Sequence, residues 1–138
     1  MDEVLLGKAA IIERCLKRID DEYRGHEEEL ASNFTRQDSI LLNLQRACEA
    51  SIDAVMHLVR RNRLGIPTES RQAFTLLVQA SLLESELGKH LEGMVGFRNI
   101  TVHNYRELDI EVVRNILNER LDDLKRFAGY LVKTGLPE

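Results

Sequence analysis

Between residues 98 and 105 the chain reads Arg98-Asn99-Ile100-Thr101-Val102-His103-Asn104-Tyr105, a permanent cation, an imidazole, two carboxamides and a phenol in close succession. A neutral imidazole, with an ordinary pKa near ~6.5, can take the proton of a ribose 2′-hydroxyl, and a guanidinium can hold the doubly charged phosphorane that follows. Together these groups suit metal-free cleavage of RNA. Competing chemistries lack their residues. The sequence contains no GxxxxGK[ST], no HExxH and no CxxC, and its histidines stand far apart at 26, 57, 90 and 103. We therefore expect neither a metal ion nor another cofactor.

If the segment is helical, Arg98 and Tyr105 are seven residues apart and return to within about 20° of one direction, so they share a face. Asn99 and His103 are four apart, which lets the carboxamide reach the imidazole and position it. Arg98 and His103 diverge by about 140°, so one helix does not readily aim both at one atom. Two copies meeting across a two-fold axis could, which makes a composite dimeric site plausible without requiring it.

The elements that must carry these residues read as helices, because no segment alternates apolar and polar residues convincingly. Apolar residues recur at helical spacing from about Val4 to Tyr23. Residues 24 to 34 are polar, and Thr35-Arg36-Gln37-Asp38 has the spacing of a capping box opening a long helix. That helix ends at Arg60, Arg61 and Arg63, before Gly65 and Pro67. A third helix is expected from Ser70 to about Leu83, and a fourth from near Ser85 toward His103. The fifth opens at Asp109, a good N-cap, and continues through Leu131. Short connections imply an antiparallel bundle of about five helices, an all-α fold forming a single domain over 1–138.

Composition agrees with such a fold. With 138 residues, 43% hydrophobic and 30% charged, the chain can bury a real core and is not expected to be disordered or membrane-spanning. Its net charge of -4 repels a polyanion, so any nucleic-acid contact must be local. The acidic N-terminus and the two cysteines, Cys15 and Cys48, read as a cytoplasmic protein with reduced thiols. Both cysteines sit in apolar stripes and read as core residues. His26 reads as solvated among acidic residues, and His57 and His90 as partners of nearby polar groups. The cluster Arg60, Arg61, Arg63 and Arg71 reads more simply as helix-end charge than as an RNA patch.

Arg98-x4-His103-x-Tyr105 resembles the HEPN superfamily, specifically its HepT-like toxins, whose hallmark is R-x4-6-H with a tyrosine two residues after the histidine. The polar residue after the arginine, here Asn99, the helix order and the chain length resemble that family too. The resemblance implies a ribonuclease toxin of a type II toxin-antitoxin pair, homodimeric, and restrained by a small MNT-type nucleotidyltransferase. It further implies that this antitoxin transfers AMP from ATP to Tyr105. The resulting expectation assigns His103 as general base, Arg98 as phosphorane stabiliser, Asn99 as the residue that positions His103, and Tyr105 as the modified residue. The alternative is a non-catalytic helical HEPN module that binds a nucleotidyltransferase.

Overall fold

The structure, a computed structural model, describes residues 1–103 and 109–137, with the backbone alone at 99–103. Those residues form helices α1 (Glu3–Tyr23), α2 (Phe34–Arg61), α3 (Ser70–Gln79), α4 (Ser85–His103), α5 (Ile110–Glu119) and α6 (Leu121–Gly135), with one 3-10 turn at Glu27–Glu29. Among the described residues there is no strand, as the missing alternation led us to expect. None of the helices described is long and apolar enough to cross a membrane.

Each helix contributes its apolar stripe to one core. Leu5, Ile12 and Ile19 of α1, Leu44 and Leu58 of α2, Phe74 of α3 and Phe127 of α6 are all but inaccessible. Burying a side chain of this size is worth roughly 1.5–3 kcal/mol, so the interlocking stripes dominate stability. Cys15 and Cys48 are free and buried within this core. Burial pushes the Cys48 thiol up to about 12, so it stays protonated and inert.

Three helices are clasped at one end by a single residue, Asp2. Asp2 caps α1 by accepting from the N–H groups of Val4 and Leu5 at 3.1 and 3.2 Å. Its other oxygen lies 2.8 Å from His57 Nε2 and accepts from Arg61 Nη1 at 3.2 Å, both on α2. Its own N–H donates to the Gly135 carbonyl at the end of α6, at 2.7 Å. Burial alone would raise the Asp2 carboxyl. The hydrogen bonds from His57 and the Leu5 N–H, with the charges of His57 and Arg61, outweigh that and hold it below its ordinary value.

Three boundaries differ from the expectation. The cap of α2 is Asn33, whose side chain accepts from the Arg36 N–H at 3.1 Å, so Thr35 lies inside the helix and forms no capping box. Helix α3 stops at Gln79 because Ser81 turns into the left-handed region (φ 58°), which leaves Leu82 partly exposed and buries Leu83 instead. The long final helix is two helices, broken at Arg120. Leu117, Leu121 and Leu124 keep helical step across the break, so periodicity cannot reveal it. In the first turn of α6, Asp123, 6% exposed, gathers His90 Nδ1 at 3.1 Å, Arg126 Nη1 at 3.8 Å and Arg120 Nη1 at 3.9 Å.

Helix α3 lies antiparallel on α4, with Thr75 Oγ1 donating to Glu92 Oε1 at 2.8 Å. Gly88 permits this approach, since a Cβ there would fall 2.6 Å from Val78 Cγ2. Val78 is β-branched and cannot swing away. Gly88→Ala is expected to destabilise the fold by about 1–3 kcal/mol, read as a lower urea midpoint. An unchanged midpoint would show that α3 and α4 part freely.

Candidate active site

The motif begins on the last turns of α4, a helix anchored by buried Leu87, Leu91, Met94, Val95 and Phe97. Arg98 follows this anchor directly, which fixes its backbone. Its side chain, 31% exposed, runs toward the middle of α2, where Nε lies 3.5 Å from Glu49 Oε1. The pair sits beside Cys48: the Glu49 charge adds to the effect of burial on that thiol, and the Arg98 charge opposes it. Arg98 is therefore held at the α2–α4 contact.

The opposite side of α4 belongs to α3. A Cβ on Gly96 would lie 2.9 Å from an Arg71 Nη atom, so the exposed Arg71 guanidinium rests on a helix surface left open by glycine. Positions 96 and 98 are about 200° apart around α4. The Arg98 and Arg71 cations thus occupy different sides of one helix.

Of the residues assigned roles from the sequence, Arg98 is fully described. Asn99 and His103 fall on the continuous helix that their four-residue spacing requires, but their side chains lie outside the described residues. Tyr105 lies outside them altogether, as does the expectation that it shares a face with Arg98. Glu49 was missed by sequence reasoning. It lies 49 residues from Arg98, and nothing local distinguishes it from the other carboxylates on the chain.

His57 and His90 have the polar partners expected of them, and His26, expected to be only solvated, has one as well. His26 Nδ1 lies 2.9 Å from Glu29, His57 meets Asp2, and His90 faces the buried Asp123 without the alignment of a hydrogen bond. Of the basic cluster that closes α2, Arg61 is engaged with Asp2 and Arg63 adopts a left-handed backbone (φ 55°). Among the described residues no three His, Cys, Asp or Glu side chains gather as a metal site.

Known proteins share this fold and much of this sequence. The chain is 45% identical over 131 residues to the mRNA nuclease HepT of Shewanella oneidensis, covering 95% of this chain and 98% of that one. Its fold matches a tri-AMPylated Shewanella oneidensis HEPN toxin in complex with MNT antitoxin, with a TM-score of 0.89 and 43% identity over 97% of this chain and 99% of that one. A toxin-antitoxin structure with AMP-PNP matches equally well, with a TM-score of 0.89 and 42% identity over 96% and 99% of the two chains. Residues 12–131 match the family described as ribonuclease HepT-like. This chain belongs to that family.

Proposed function

We propose that the protein is the toxin of a toxin-antitoxin pair, a metal-independent RNA endonuclease acting in the cytoplasm. The observation that carries this reading is the Arg98-x4-His103-x-Tyr105 motif, which begins on the anchored end of α4 in a chain 45% identical to an mRNA nuclease. His103 removes the 2′-hydroxyl proton, and the freed oxygen attacks the adjacent phosphorus. Arg98 stabilises the dianionic phosphorane, and the 5′-oxygen leaves with a proton, giving a 2′,3′-cyclic phosphate and a 5′-hydroxyl. Asn99 positions the imidazole. Because Arg98 and His103 diverge around one helix, the working cleft lies between two protomers.

The partner is an MNT-type nucleotidyltransferase that silences the toxin by placing AMP on Tyr105. A phenol with a pKa near ~10 is a poor base at neutral pH but a serviceable acceptor for AMP. The added phosphate pairs with Arg98 and the adenosine fills space meant for RNA, so cation and access are lost together.

Purified protein with a labelled RNA tests the activity: cleavage should survive EDTA and yield cyclic-phosphate ends. No cleavage by an unmodified dimer would favour the non-catalytic module. Intact-mass measurement after co-expression with the antitoxin should show AMP-sized additions that map to Tyr105. Tyr105→Phe should lack them and stay active. Additions that map elsewhere would remove Tyr105 as the control point.

A further inference from the structure

A chain of net charge -4 must concentrate its cations if it is to hold RNA. Apart from the cluster that closes α2, it does so in one groove between α1 and α2. Arg14 and Arg18 stand one turn apart on the exposed side of α1, and Arg46 of α2 completes with them the wall of an open groove of about 390 Å³. The groove contains a single carboxylate, Asp38, and one exposed apolar side chain, Leu42. Neighbouring cations are neutralised: Lys8 pairs with Asp53 at 3.1 Å, Lys17 with Asp21 at 3.4 Å and Arg36 with Glu29 at 3.7 Å. Among the described residues no ion pair engages Arg14, Arg18 or Arg46.

The groove adjoins the candidate active site. Arg46 is one turn before Glu49 on α2, and Glu49 holds Arg98. The buried Cys15 thiol feels two of these charges: burial raises it, and the charges of Arg14 and Arg46 oppose that rise. Three exposed guanidinium groups around one carboxylate leave the groove net positive, and planar guanidinium forks suit phosphate oxygens. A protein partner would call for an apolar centre, which Leu42 alone does not supply.

We propose that the Arg14–Arg18–Arg46 groove binds the phosphates of an RNA strand and leads it to Arg98. This rests on the reading of the protein as a ribonuclease and adds the path of the substrate. Direct contact with the reacting phosphate stays with Arg98, and the groove acts on strand affinity.

The test compares His103→Ala protein with the same protein also carrying Arg14→Gln, Arg18→Gln and Arg46→Gln, using an unstructured RNA of about 20 nucleotides. Affinity at 0.1 M salt should fall about tenfold or more. The slope of log affinity against log salt should become shallower by about 2, at about 0.7 per phosphate contact on a single strand. In protein with His103 intact, the loss should appear in KM. Lysine at the three positions should restore most of the slope, an outcome that damage to the fold cannot produce. Equal affinity and slope in the glutamine variant would overturn the proposal. So would a glutamine variant that keeps RNA binding and loses only the antitoxin, which would assign the groove to the protein partner. Failure of the ribonuclease reading looks different, because the unsubstituted chain then neither binds nor cuts RNA, and the groove proposal falls with it.

Discussion

His103→Ala is expected to fold as the native chain does and to lose RNA cleavage by about 10²-fold or more, the usual contribution of a positioned general base. Position 103 ends α4, and alanine is the best helix former, so the helix should persist. The loss should lie in kcat, because a base that removes a proton only during reaction contributes little to ground-state binding. Imidazole added to the buffer should restore part of the rate in the alanine variant. Structural damage would not respond to it. Cleavage at the native rate would remove His103 from the mechanism.

Arg98→Lys keeps the charge and should still cost about 10²-fold in kcat, near 2.7 kcal/mol of transition-state stabilisation. The reason lies in the Glu49 contact. A guanidinium can direct Nε toward Glu49, 3.5 Å away, and still present its remaining N–H groups to two phosphate oxygens. An ammonium is a single point, so in lysine the pull of Glu49 competes with the phosphate. Parallel measurement of kcat and KM checks this, since loss of bulk charge alone would appear in KM. A lysine variant as fast as the native enzyme would show that charge suffices and the fork does not matter.

Helix identity and order were legible because the apolar stripes of a small all-α chain repeat at 3.6 residues whatever the tertiary arrangement. The break at Arg120 was not, because the stripe runs in step through it and the groups that meet beside it, His90, Arg120 and Arg126 around Asp123, come from two helices, α4 and α6, and the α5–α6 junction. The site divides in the same manner. Arg98, Asn99, His103 and Tyr105 lie in one short segment, where spacing carries information. Glu49, and the meeting of Arg46 with Arg14 and Arg18, depend on which faces of α1, α2 and α4 come together. Sequence periodicity identifies a buried face without saying which partner covers it.

The clasp at Asp2 brings the beginning of α1 to the end of α6, with 2.7 Å between the Asp2 nitrogen and the Gly135 oxygen. Chain order is thereby separable from architecture. A short glycine-serine link from the C-terminus back to Met1 would have little distance to cover, and the chain could be reopened at the exposed Gly65-Ile66 turn between α2 and α3. Such a circular permutant keeps every helix, and the same cut made without the link divides the chain into fragments 1–65 and 66–138, the first holding the α1–α2 groove and the second Arg98. The two fragments, expressed separately, would then form a split nuclease whose activity reports their reunion.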